Sequence, residues 1–301
     1  MAKYTIFPKT KKELVDAINS EYDTNGFDAD LNHIDTSAID DMSYIFYASD
    51  FCGDISGWDV SNVKNMRSMF CVAAKFNCDI SNWDVSNVTD MSDMFSGAES
   101  FNQDLSGWDV SKVEYMSSMF KRSGFDSDIS IWDVRNVRYM DMMFEGCNFN
   151  KKLKMWNVKN VESMSRMFSN NQAFNQDISK WNVSNVTNMR YMFAGSSFDH
   201  DISLWDVSKV TDMSHMFENS KFSHDISKWD VSNVLYMGYM FSNVDPSMPI
   251  EKLSVWNPVK VEDIRGFYNM EYRSRVRFIK DVWQYKIESP ESCIGIGTYL
   301  R

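Results

Sequence analysis

Nine tryptophans constrain what this chain can fold into. Trp58, Trp83, Trp108, Trp132, Trp156, Trp181, Trp205, Trp229 and Trp256 follow one another at intervals of 25, 25, 24, 24, 25, 24, 24 and 27 residues. The same neighbours recur around each. Val stands five residues later (Val63, Val88, Val113, on to Val261), and Met stands eight later from Met66 to Met237, with Ile264 in the last copy. A second Met and a Phe follow, as in Met69-Phe70 and Met240-Phe241. Ahead of Trp58 lies a disguised copy in which Ile34 takes the tryptophan place and Ile39, Met42, Ile45 and Phe46 keep their offsets. A fixed period in this range signals a stacked array in which each unit touches only its neighbours. That freedom lets 301 residues form one body without the size limit of a single globular core.

Each copy reads as two parts. In Leu105-Ser106-Gly107-Trp108-Asp109-Val110 the apolar residues have the spacing of a leucine-rich-repeat strand, with Asp109 on the opposite face. From Val113 the spacing Val113, Met116, Met119, Phe120 predicts a helix, with Ser111 as its N-cap. The expectation is therefore an α/β fold: a leucine-rich-repeat-like solenoid of about ten coils, each a short parallel β-strand plus a short helix. Residues 1–30 are expected to form an N-terminal helical cap, 31–270 the solenoid and 271–301 a C-terminal cap. In the first cap, Thr10 and Glu13 have capping-box spacing and Gly26 suits a helix stop. In the last, Arg273, Arg275, Arg277 and Lys280 interleave with apolar residues.

The net charge of −11 argues against a phosphate-binding surface, so no direct nucleic-acid binding is expected. Five cysteines share no repeat offset, which points to reduced thiols rather than a disulfide framework. The N-terminus has no uninterrupted apolar core, since Pro8, Lys9, Lys11 and Lys12 arrive at once, and no run long enough to span a membrane occurs. The expectation is a cytoplasmic protein with no membrane association, or one on a bacterial cell surface if an export signal is missing.

The repeated sentence Phe101-Asn-Gln-Asp-Leu-Ser-Gly-Trp-Asp-Val-Ser-Lys-Val-Glu-Tyr-Met-Ser-Ser-Met-Phe120 resembles the repeat of the BspA-like leucine-rich-repeat surface proteins of bacteria. The likeness covers roughly Leu31 to Tyr268. It implies a non-catalytic adhesion or protein-binding solenoid. Such proteins are typically exported and anchored, whereas this chain shows neither signal. Similar repeats on mobile elements and phages would suit a soluble intracellular binder or inhibitor.

Two acidic rows invite chemistry. One follows the tryptophans (Asp59, Asp84, Asp109, Asp133, Asn157, Asn182, Asp206, Asp230, Asn257); the other is Asp54, Asp79, Asp104, Asp128, Asp177, Asp201 and Asp225, broken by Lys152. The first is expected to form Asx-turns with the N–H two residues on, with cation binding or docking of a basic partner as alternatives. The residue before each tryptophan varies and includes Ile131, Met155 and Leu204, apolar side chains expected to face outward with no internal reason to be apolar. Tyr115, Tyr139, Tyr191, Tyr236 and Tyr239, with Arg138 and Arg190, are expected on an outward helix edge, and Lys152 and Lys154 mark a central coil of inverted charge. These residues are the candidate partner-binding set. His200 and His224 share an offset in adjacent copies but lie on solvated turns. Catalytic triads, phosphate loops and zinc spacings are missing from the sequence, and no cofactor or metal is expected.

The expected function is non-enzymatic: a repeat scaffold that binds a protein partner through the sheet face and adjoining helix edge. Two alternatives are a carbohydrate-active enzyme using the Asp ladder and an acidic nucleic-acid mimic that sequesters a DNA-binding protein.

Overall fold

The computed structural model describes residues 4–265. The expected C-terminal cap, 271–301, lies outside them. One α-helix, α1 (Lys11–Asn25), opens the chain. Thr10 caps it by accepting from the Glu13 N–H at 3.2 Å, and Gly26, at φ 80°, ends it. The Glu13 carboxylate accepts from the Lys9 N–H at 2.6 Å, one residue before the position a capping box would use. Leu14 and Ile18 are buried beneath the helix.

After α1 the α/β prediction is corrected. Among the described residues the coils contain neither α-helix nor β-sheet; besides α1 there is one 3-10 turn, Ile250–Val255. Each coil is a chain of tight turns. In the Trp108 coil, N–H groups close back three residues from Trp108 to Leu105, Val113 to Val110, Met119 to Met116, Lys121 to Ser118 and Ser123 to Phe120. The apolar residues spaced by three, which mimic a helix face, are the first and fourth residues of these turns. A helix is impossible there because the residue ten after each tryptophan from Trp58 to Trp229 is left-handed. Ser68, Asp93, Ser118, Met142, Arg166, Tyr191, His215 and Tyr239 have φ between 54° and 60°, outside any right-handed helix. A second left-handed position, fourteen after tryptophan, carries Gly97, Gly146, Gly195, Asn170, Asn219 and Asn243, but also Val72 and Arg122. Glycine and asparagine tolerate that backbone; valine and arginine occupy it at a cost.

Successive coils are joined where the helix was expected. Met66, Ser68, Phe70 and Val72, every second residue, donate their N–H to Asp90, Ser92, Met94 and Ser96 of the next coil at 2.7–2.9 Å. Isolated parallel bridges run coil to coil through Asn65, Asp90, Tyr115, Tyr139, Ser163, Asn188, Asp212, Tyr236 and Asp263. At the tryptophan corner, where the strand was expected, side chains make the connections instead. Each indole Nε1–H donates to a main-chain carbonyl of the preceding coil, as Trp108 to Ile80 at 3.1 Å and Trp132 to Leu105 at 2.9 Å. Asn87, Asn136, Asn160, Asn185 and Asn233 each donate from Nδ2 to a carbonyl of the preceding coil at 2.6–2.9 Å. Ile34 fills the tryptophan place in the first coil, where what precedes is α1 and a single bridge from Ile6.

The interior is one continuous cluster of Trp, Met, Val and Phe columns. Two phenylalanine columns stack within and between coils: Phe95 lies 3.9 Å from Phe101 and 5.8 Å from Phe120, centroid to centroid. Burying each such ring stabilises by roughly 1.5–3 kcal/mol, and neighbouring coils share the benefit. Cys52, Cys71, Cys78 and Cys147 are free thiols. Burial pushes the Cys147 thiol up to about 12.

Candidate functional site

The repeat fixes the interior, so function has to lie in what the turns present outward. At the tryptophan corner the two acidic rows are Asx-turn clamps. Asp104 accepts from the Ser106 N–H at 2.9 Å and Asp109 from the Ser111 N–H at 3.0 Å, and the pattern repeats along both rows. A third clamp, seven residues after tryptophan, joins Asp90 to Ser92 and Asp212 to Ser214, each at 2.8 Å. The clamps lower several of the row carboxyls, among them Asp54, Asp79, Asp84, Asp104 and Asp109. The Ser106 backbone N–H keeps Asp104 below its ordinary value, and the Ser111 hydroxyl does the same for Asp109. Asp225 is lowered to about 2, first by the Ser227 N–H, then by Lys252.

Between these rows the residues before tryptophan stand free. Ile131, Met155 and Leu204 are 75%, 83% and 77% exposed. Beside Met155, Lys152 and Lys154 are exposed, and Lys154 reaches Asp177 of the next coil at 2.8 Å.

The tyrosines occupy other turns of the coil and form two stacks. Tyr115 and Tyr139 lie parallel, centroids 5.6 Å apart. Tyr191, His215 and Tyr239 form a second column at 4.1 and 4.9 Å, with Arg166 4.1 Å and Arg190 5.2 Å from the Tyr191 centroid. Tyr236 donates to Glu262 at 3.2 Å. Arg138 pairs with Glu162 through two N–H groups at 2.7 and 2.9 Å and lies 5.6 Å from the Tyr139 centroid. Among the described residues, no hydrogen bond, ring contact or shared cavity links the Ile131–Met155–Leu204 column to either tyrosine stack. The helix edge assigned to the tyrosines is a run of turns.

A polar groove went unread in the sequence. It encloses about 920 Å³ and crosses six coils, lined by Thr89, Lys112, Glu114, Asn136, Arg138, Asn160, Glu162, Asn185, Thr187 and Lys209. These are the residues four and six after tryptophan; of the candidate set only Arg138 lies among them. The restriction to Asn or Lys at the first of these offsets, from Asn62 to Lys260, was the available signal. Among the described residues no group of His, Cys, Asp and Glu is placed to hold a metal ion, and no helix is long and apolar enough to cross a membrane.

Such an array of copies defines a tandem-repeat protein. The profile of a family described as a Mycoplasma protein of unknown function, DUF285, matches residues 17–125, 121–221 and 195–292, and the chain belongs to that family. No curated protein and no solved structure is matched.

Proposed function

We propose that this chain is a non-catalytic, protein-binding repeat scaffold of the BspA-like kind. Its partner protein docks on the Ile131, Met155 and Leu204 column with Lys152 and Lys154 beside it, and the Tyr-bearing turns extend the contact. One observation carries this reading. Gly57 and Gly107 hold the same place in other coils, so the backbone does not need a large side chain there, yet three apolar ones stand at least three-quarters exposed. Exposed apolar side chains framed by polar groups are the usual anchors of recognition. The enzyme reading is weaker. A general acid needs a carboxyl raised toward neutrality, whereas Asp54, Asp79, Asp84, Asp104, Asp109, Asp128, Asp177, Asp201, Asp206, Asp225 and Asp230 are lowered. The acidic-mimic reading rests on the unbroken double row Asp54, Asp79, Asp104 and Asp59, Asp84, Asp109; it requires salt-sensitive capture of a DNA-binding protein. A reducing compartment such as the cytoplasm suits the free thiols. The test is affinity capture with the triple variant Ile131→Asp, Met155→Asp, Leu204→Asp. Loss of a specific partner supports the reading, and undiminished capture refutes it.

A further inference from the structure

We propose that the polar groove is a binding site for an uncharged, linear oligosaccharide. The site is distinct from the protein-docking column and borders the Asp row that follows the tryptophans, whose Asp109 and Asp206 feel Lys112 and Lys209 of the lining. All of its lining residues are polar or charged. It therefore lacks the apolar anchors that drug-like ligands and protein partners exploit. Three cations face two carboxylates, a near balance that offers little to a phosphate-bearing chain. A ligand that gains from such a lining presents many neutral hydroxyls.

The polar groups are already fixed. Lys112 is held by Asn87 Oδ1 and Lys209 by Asn185 Oδ1, each at 2.6 Å, and Arg138 is held by Glu162 at 2.7 Å. Asn136 and Asn160 use Nδ2 to join coils, which leaves their Oδ1 atoms facing out as acceptors. The Glu114 carboxylate has no partner among the described residues. Groups immobilised before binding lose little further freedom on binding. Beside the groove, Tyr139 donates to Glu162 at 3.3 Å, and its ring is engaged by Tyr115 and by the Arg138 guanidinium, which fixes Arg138 and Glu162 further. From the Trp83 coil to the Trp205 coil the groove runs roughly 24 Å, at about 4.8 Å per coil, long enough for several rings in a row.

The experiment titrates the whole chain calorimetrically with uncharged hexasaccharides of four kinds: β-1,4-glucan, chitin, α-1,4-glucan and β-1,4-mannan. At least one should saturate, with an affinity that changes less than twofold between low and high salt. Glu114→Gln and Lys112→Met should each weaken it at least tenfold with the thermal midpoint unchanged, and the Ile131→Asp, Met155→Asp, Leu204→Asp variant should bind as before. The proposal is overturned if no probe saturates at millimolar concentration, if neither groove substitution weakens binding, or if an acidic peptide occupies the groove in its place. Because the column variant is a separate arm, failure here leaves the protein-docking reading standing, and the reverse.

Discussion

Two corners of this molecule occupy equivalent places in their coils and differ in almost every outward residue. Asp104-Leu105-Ser106-Gly107-Trp108-Asp109 is acidic, clamped and flat; Lys152-Leu153-Lys154-Met155-Trp156-Asn157 is basic, with a protruding thioether. Inside they are the same. Trp108 and Trp156 are buried to the same degree, each closes its turn onto a leucine carbonyl at 3.1 Å, and each indole reaches the preceding coil at 3.1 Å. Only the first corner has the clamp before tryptophan, Ser106 N–H to Asp104; at the second, Lys154 crosses to Asp177. Buried columns thus define the coil, and the clamp is an accessory that one corner does without. The outer chemistry is free to vary because the interior does not depend on it.

The largest effect expected from this comparison is at the tryptophans. Trp108→Ala and Trp156→Ala should each lose about 3–5 kcal/mol in urea unfolding, by similar amounts. A difference beyond about 1 kcal/mol would show that the corners support their interiors unequally.

Asp104→Ala should lose roughly 1 kcal/mol by removing a clamp, and Lys152→Asp should gain a similar or smaller amount by installing one. If Lys152→Asp gains nothing, the Lys154–Asp177 contact already does that work.

Acid should separate the corners next. Carboxyls lowered in the folded state stabilise it above their unfolded value of about 3.9, and that contribution is lost as pH falls through the lowered values. Asp54, Asp79, Asp84, Asp104 and Asp109 are all lowered, whereas the Trp156 coil has Lys152 and Asn157 at the corresponding places. Asp201, Asp206, Asp225 and Asp230 are lowered in the same way, so hydrogen exchange between pH 4 and pH 2 should rise earlier in the Trp58 to Trp108 and Trp205 to Trp229 coils than in the Trp156 coil. Uniform exchange along the stack would contradict this.

The smallest effect should come from Met155→Asp, whose unfolding free energy should stay within about 0.5 kcal/mol of the parent. A larger loss would mean that the exposed thioether packs against the coil after all.

What the sequence discloses follows from the same division. The period, the buried Trp, Val, Met and Phe columns and the Asx clamps are visible in it, because each is a one-residue pattern repeated nine times. The kind of turn is not. Val113, Met116 and Met119 fit a helix face as well as they fit consecutive tight turns, and Ser117-Ser118 gives no hint that Ser118 sits at φ 58°. Gly97, Gly146 and Gly195 at a shared offset mark one left-handed position, but a glycine there suits a helix stop as well as a chain of turns. The groove was hidden for a different reason. Lys112, Glu114, Asn136 and Arg138 look like ordinary surface residues until the turns place two offsets from six coils on one concave side.

The direction of the indole bonds has a consequence for how the protein is made. Every tryptophan among the described residues donates backward, toward a carbonyl synthesised some twenty-seven to thirty residues earlier, as Trp132 does to Leu105. On the ribosome each new turn therefore emerges to find its acceptor already laid down, and growth can proceed by accretion onto a finished end. A chain begun at an internal tryptophan would start with a donor and nothing behind it to receive the proton.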